Sequence, residues 1–364
     1  MNMLNKPSLA FFFLINFSSL YISDFFPAPY YIFFIAGLIV FLSGIKEFEI
    51  SRDNIFLLVV LIIFLLVIFL SGYIGRYNEV TIYAIATCLI VFTLSAISRI
   101  SLENAKFIII SFFVINLFVY MGDAIYRFST PNLDYLEIIR KQGVEFRWFY
   151  AYKHSYLYTD SNFSGLFLAI ASISIIQHRR IFGRCFALLI GAYSVLLLLT
   201  FSRASIIAFF IGLLYLLFRR LSYEAKLITV TTLSLLSPLF LVLSGFFDFH
   251  DTSFTSKIEI VDSFFNILGN EGALSLLFGW GLGNSFLYLG HSAHNLFITI
   301  FLELGVIGFV LFILVFSWIL LKYELTRPVI LVFFISSLSF GFLFSAYISV
   351  ISLTMLSQVK KISH

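Results

Sequence analysis

One apolar run after another, divided by short charged turns, constrains this chain more than any single residue in it. The runs can be marked at Leu9 to Ser23, Tyr30 to Ile45, Ile55 to Tyr73, Val80 to Ile97, Phe107 to Gly122 and Phe163 to Gln177. They continue at Cys185 to Phe201, Ala204 to Phe218, Leu227 to Phe247, Leu296 to Leu321 and Val329 to Phe344, with a weaker one from Ala346 to Gln358. A helix needs ~20 apolar residues to cross the hydrocarbon of a bilayer, and several runs fall a little short of that. None alternates with a period of two, so they predict helices and not the strands of an outer-membrane barrel. Composition closes the soluble alternative. Of 364 residues, 61% are hydrophobic and 12% charged, with a mean hydropathy of +1.03, and a soluble domain of this size cannot hide so much apolar surface. The expected fold is an all-α polytopic integral membrane protein of about twelve transmembrane helices, with Pro328 to Gln358 forming either one long tilted helix or two short ones.

Lys and Arg set the expected orientation. With the N-terminus inside, the inner turns carry Lys6, Lys46, Arg52, Arg99, Lys106, Arg179, Arg180, Arg184, Arg219, Arg220, Lys226, Lys322, Arg327, Lys360 and Lys361. Each short outer turn carries at most one positive residue, Arg76 or Arg203, and about twelve crossings with both termini inside fit that asymmetry best. The formal charge of +4 follows from the same rule and calls for no anionic partner such as a nucleic acid. Leu9 to Ser23 has neither a basic leading segment beyond Lys6 nor a small-residue cleavage site, so it reads as the first span and not as a cleaved signal. Cys88 and Cys185 lie in or beside spans and point to neither a disulfide framework nor a thiolate metal site. Residues 1–364 read as a single membrane domain with lipids around it.

Two expected outer loops are long, Asp123 to Asn162 and Asp248 to Ala293, and loops of that length usually carry function, which puts the working face outside. The first mixes Arg127, Arg140, Lys141, Arg147 and Lys153 with Tyr126, Trp148, Phe149, Tyr150, Tyr152 and Tyr156. Guanidinium groups fork onto phosphate oxygens while aromatic rings stack on pyranose faces, although an interfacial belt with snorkelling cations has the same composition. In the second loop, Ile258 to Leu268 repeats apolar residues at helical steps and predicts an amphipathic helix over the outer mouth.

Arg203 is pinched between two apolar spans with almost no loop to solvate it, which makes it a functional candidate whose bland counterpart is snorkelling to lipid phosphates. His291 and His294 precede a long apolar helix that carries Glu303. They form at most half of a metal site, and no His-Glu-x-x-His pattern completes one. A histidine at the water boundary suits proton transfer better. Glu303, nine residues after His294, falls on the opposite face of a regular helix and reads as a buried carboxyl facing a neighbouring helix.

The run His-Asn-Leu-Phe-Ile-Thr-Ile-Phe-Leu-Glu-Leu-Gly-Val-Ile-Gly, from His294 to Gly308, resembles the signature helix shared by bacterial O-antigen polymerases (Wzy) and O-antigen ligases (WaaL). Ser202-Arg203-Ala204 at the start of a span is similar to the Ser-Arg element of that superfamily, with Ile207 where the ligases have Leu. Thr159-Asp160-Ser161-Asn162 resembles the Asp-Pro-Asn segment of the polymerases, with Ser161 in place of Pro. These elements cover most of Tyr156 to Gly308. The resemblance implies a multi-span, metal-independent glycosyltransferase of the bacterial inner membrane, active at the periplasmic face and needing no cofactor. Its donor and acceptor would both be undecaprenyl-diphosphate-linked oligosaccharides, with a chain-length regulator as a protein partner. His294 and Arg203 would be catalytic. Arg127, Arg140, Lys141, Arg147, Lys153, Tyr156, Asp160, Asn162, His291 and Asn295 would bind substrate. A ligase would instead transfer the polysaccharide to lipid A core, and a flippase of lipid-linked sugars would spread charge through two repeated halves, of which the sequence has no sign.

Overall fold

A computed structural model describes residues 4–22, 28–134, 137, 148–219, 222, 252–270, 272–290 and 293–362. Most of these residues are helical. The first group is α1 (Lys6–Asn16), α2 (Pro29–Ser43), α3 (Ile55–Ile74), α4 (Tyr77–Ala96), α5 (Leu102–Ser129), α6 (Ser161–Gln177), α7 (Arg179–Phe182), α8 (Phe186–Leu199) and α9 (Arg203–Phe218). The second is α10 (Thr252–Asn270), α11 (Ala273–Phe278), α12 (Ser285–Leu289), α13 (Leu296–Lys322), α14 (Arg327–Ser337) and α15 (Ser345–Val359). Two short strands, β1 (His154–Ser155) and β2 (Thr159–Asp160), pair antiparallel between α5 and α6.

Each apolar run of the sequence contains a helix except Leu227 to Phe247, which lies outside the described residues, and Val329 to Phe344 is helical only as far as Ser337. Lipid offers the backbone no hydrogen-bond partner, so an apolar run must satisfy its own N–H and C=O groups along a helix. Five segments are long and apolar enough to cross a membrane: Arg52–Ile74, Glu79–Ala96, Leu102–Ser129, Arg179–Leu199 and Leu296–Lys322. The shorter apolar helices include α2, α6, α9 and α15. On α3, Ile62, Leu66, Phe69 and Leu70 all face outward, and lipid is the solvent that such a face requires. The chain is a helical, membrane-embedded protein.

Helix contacts use small residues and buried hydrogen bonds, the two devices left once lipid removes the hydrophobic drive between helices. Gly37 of α2 lies against Leu14 of α1, and Gly212 of α9 admits Val332 of α14 and Ile173 of α6. Thr93 donates to Ser352 across α4 and α15 at 2.8 Å. Asn104 donates to Ser8 at 3.0 Å, while Ser19 donates to Asn116.

One end of the bundle carries a group of paired basic residues. Lys6 pairs with Glu47 at 3.6 Å, Arg99 with Glu49, Lys322 with Asp53 at 3.6 Å, and Arg219 and Arg327 with Glu324 at 3.0 and 3.6 Å. Here α6, α9 and α13 finish together, because Gln177 donates to the Leu325 carbonyl at 2.7 Å beside the Arg219–Glu324 pair and Lys322. Their N-termini therefore share the opposite end.

Two sequence expectations change and one open alternative is resolved. The first long loop begins later than Asp123, because α5 runs to Ser129 with Asp123 and Arg127 buried one helical turn apart. The helix carrying Glu303 starts only at Leu296, after Asn295 as its cap, and breaks at Gly305 with φ 68° and ψ −174°. His294, at φ 42°, is outside it, so a regular helical angle between His294 and Glu303 does not apply. Pro328 to Gln358 is two helices, since α14 ends at Ser337 and α15 begins at Ser345. The second long loop contains the expected amphipathic helix within α10, followed by α11 and α12.

Candidate functional site

The end opposite the basic residues is made of helix starts and interrupted backbone. Its firmest part surrounds the turn before Arg203. Phe201 adopts a left-handed φ of 54°, which breaks the chain sharply between α8 and α9. Ser161 Oγ donates to the Thr200 carbonyl at 2.9 Å, the Ser202 N–H donates to Thr200 Oγ1 at 3.3 Å, and the Ser202 hydroxyl donates to Ser205 at 2.9 Å. Gly165 of α6 permits this approach, because a Cβ there would stand 2.7 Å from the Ser202 Cβ. Arg203 is the first residue of α9 and is half-buried.

Behind the turn lies a buried ion pair. Arg127 and Asp123 are each 1% exposed at the side chain and meet at 3.2 Å. Asp123 also accepts from Ser155 at 2.7 Å and Ser164 at 3.2 Å, and Arg127 donates to the carbonyls of Leu199 at 2.8 Å and Tyr152 at 3.3 Å. One pair thus ties α5, the β hairpin, α6 and the end of α8 together. A buried charge is tolerable only when paired and hydrogen-bonded in this way.

The hairpin side chains sit around that pair. Asp160 caps α6, accepting from the Asn162 N–H at 2.8 Å and from its side chain at 3.0 Å. Tyr156 donates to the Val119 carbonyl at 3.2 Å, and burial, reinforced by Asp123, pushes its hydroxyl up to about 12. It is a donor, never a base, at ordinary pH. His154 meets the Ala151 carbonyl through Nδ1 at 3.1 Å and Thr130 through Nε2 at 3.4 Å. Burial holds its imidazole below the usual histidine range. Lys153 lies 5.1 Å over the Tyr150 ring. The rings of Trp148 and Phe149 reach Phe201 at 5.5 and 5.9 Å, so the aromatic stretch of the first loop packs on the turn that presents Arg203.

The start of α13 is built differently. His294 is exposed, and Asn295 caps the helix by accepting from Phe297 N–H at 3.0 Å and Ile298 N–H at 3.2 Å. The break at Gly305 frees carbonyls that a glycine-rich turn then takes up: Trp280 N–H donates to Leu302 at 2.9 Å and Gly281 N–H to Glu303 at 3.2 Å. Ser71 of α3 donates to the same Glu303 carbonyl at 2.7 Å. A Cβ at Gly305 would lie 2.3 Å from the Leu277 carbonyl oxygen, so only glycine fits this left-handed position.

Leu338–Phe344 connects the two parts. Phe163 of α6 packs on Phe340, Phe342 and Phe344 at 5.5, 6.0 and 5.4 Å. A Cβ at Gly341 would meet Thr299, in the first turn of α13, at 3.1 Å. Of the residues singled out in the sequence, Arg127, Lys153, Tyr156, Asp160 and Asn162 gather round the Arg203 turn, while His294 and Asn295 stand across this segment at the head of α13. Arg140, Lys141, Arg147 and His291 lie outside the described residues. Arg127 and Asn295 spend donors and acceptors on the protein itself. Sequence reasoning missed Asp123 as the partner of Arg127, although their four-residue spacing is an ion-pair signal on a helix. It also missed Glu79 and the unwound Leu338–Phe344, an apolar stretch that gives hydropathy nothing to detect. Among the described residues, no three His, Cys, Asp or Glu side chains are grouped to hold a metal ion. No family model, curated protein or solved structure matches the chain.

Proposed function

We propose that the chain is a bacterial inner-membrane glycosyltransferase of the O-antigen polymerase kind, with about twelve crossings, both termini cytoplasmic and its working face toward the periplasm. One observation carries this: the starts of α6, α9 and α13, with Asp160, Arg203 and His294, share the end away from Lys6, Arg99, Arg219, Lys322 and Arg327. Excess positive charge stays on the cytoplasmic side, which turns the helix starts outward. Helix N-termini carry partial positive charge, and together with a guanidinium they suit a diphosphate at the membrane edge.

In the proposed reaction a sugar hydroxyl of one undecaprenyl-diphosphate-linked repeat attacks the anomeric carbon of another. The bond from that carbon to the diphosphate oxygen breaks, and its electron pair departs with undecaprenyl diphosphate. His294 takes the hydroxyl proton, a role that its exposure at the mouth supports. Arg203, held half-buried by the clamped turn, offers a fixed forked donor to the departing diphosphate. Lys153, Asp160, Asn162 and Tyr156 would contact sugar or phosphate, joined by Arg140, Lys141, Arg147 and His291. A chain-length regulator is the expected protein partner.

The test is reconstitution of the purified protein in nanodiscs with lipid-linked repeat units. The expected product is a ladder of longer lipid-linked glycans, and Arg203→Lys, which keeps charge but loses the fork, should slow its growth by roughly tenfold to a hundredfold. Transfer to lipid A core alone would make the protein a ligase, and a full-rate ladder from Arg203→Lys would remove the forked diphosphate contact.

A further inference from the structure

The heads of α4 and α13 place two carboxylates against one glycine-rich turn, and the transfer chemistry leaves both unused. Glu303 is 2% exposed. Its Oε1 accepts from Ser285 Oγ at 2.7 Å, and backbone N–H groups of Gly283 and Ser285 also bond to this carboxylate. Its Oε2 is buried with no hydrogen-bond partner among the described residues, and so is Oε2 of Glu79. Glu79 acts electrostatically on Glu303. Gly283 touches both, since its N–H bonds to Glu303 while a Cβ on it would lie 2.9 Å from Glu79 Cγ.

The groups facing the pair are few. Arg76, exposed at the head of α4, acts on Glu79 from its own helix, Tyr83 lies one turn along that helix, and Tyr21 and Tyr31 approach from the segment between α1 and α2 and from α2. Arg76 is the one cation among them. A buried carboxylate oxygen without a donor is costly, and two ionised carboxylates side by side in a poorly hydrated space are costlier. A single proton relieves both costs, because it turns one orphaned acceptor into a donor for the other. No third His, Cys, Asp or Glu joins them among the described residues to complete a metal-binding group.

We propose that Glu79 and Glu303 form a proton-holding pair, one neutral and one charged at neutral pH, linked through bridging water. The pair is a site for a proton and is independent of any substrate.

Infrared spectroscopy of the full chain in lipid nanodiscs tests it without an activity assay. Exposed carboxyls are ionised at neutral pH, so the parent should show a protonated-carboxyl absorption from this pair. Glu79→Gln and Glu303→Gln should each abolish it at neutral pH, because the new amide donates to the remaining carboxylate in place of the shared proton. Asp123→Asn should leave it in place. Glu79 is half-buried and its amide keeps the shape, so that variant reports even where Glu303→Gln fails to accumulate. A parent spectrum with no such band overturns the proposal. So does a band that survives Glu79→Gln, or one that disappears with Asp123→Asn.

Discussion

The heads of α9 and α13 lie at the same end of the bundle and are held by opposite means. Around α9, the buried acid Asp123 has its own cation in Arg127 and two serine donors, and Arg127 spends further N–H groups on two carbonyls. Around α13, Glu303 and Glu79 each keep an oxygen without a donor among the described residues, and backbone from Gly279 to Gly283 does the bracing. The first arrangement fixes a position. The second leaves two carboxylates at the heads of α4 and α13, and the exposed His294 precedes α13 in the chain. Division of labour follows: α9 would present a rigid cation to the leaving group, and α13 would handle protons.

The largest expected effect breaks the rigid half. Arg127→Met strands the Asp123 carboxylate in a dry site and should cost about 3–5 kcal/mol of stability, read as loss of folded protein on titration with sodium dodecyl sulfate. Adding Asp123→Asn should recover most of that loss, since no unpaired charge remains. Equal damage from the single and the double change would mean that packing, and not charge, holds the α9 head.

An effect on chemistry alone should come from the other half. His294→Ala is expected to leave unfolding unchanged and to slow glycan transfer by roughly 10²-fold to 10⁴-fold, the usual contribution of a positioned base. His291→Ala is the control from the same loop. If His294→Ala polymerises at the parent rate, the proton leaves by another route; if it lowers protein level with no change in rate per molecule, His294 is structural and the contrast between the two heads fails.

The smallest effect separates capping from substrate contact. Asp160→Ala removes the α6 cap and should cost about 1 kcal/mol. Asp160→Asn keeps an acceptor for the Asn162 N–H, so its stability should stay near the parent's. Any fall in transfer rate that remains in Asp160→Asn then belongs to a carboxylate touching substrate, and a parent-like rate would confine Asp160 to the cap.

Much of the fold was legible because lipid forces apolar runs into helices: the runs around α3, α4 and α13 could be placed within a few residues. Charges misled where proteins bury them. Asp123 and Arg127 looked like the start of a solvated loop, yet they extend α5 because each neutralises the other. The break from Leu338 to Phe344 stayed hidden since Ser339 and Gly341 are its sole non-hydrophobic residues, and an unwound apolar strand reads like a wound one. At the site, Arg203 stood out by its lack of solvating loop. Glu79 did not, because what distinguishes it is Glu303, which arrives from a distant part of the chain.

That distance has a consequence for how the protein is made. The Ser71 hydroxyl and the Glu303 carbonyl that it meets are 232 residues apart, and Arg76 likewise bonds to Leu282. Chains are synthesised from the N-terminus and membrane helices enter the bilayer in that order. The C-terminal tip of α3 must therefore wait through most of translation before its partners emerge. Until then the Ser71 hydroxyl and the Arg76 N–H have only water or their own helix to bond. Truncation after α9 should leave a cysteine introduced by Ser71→Cys, a position buried in the finished chain, open to water-soluble thiol reagents.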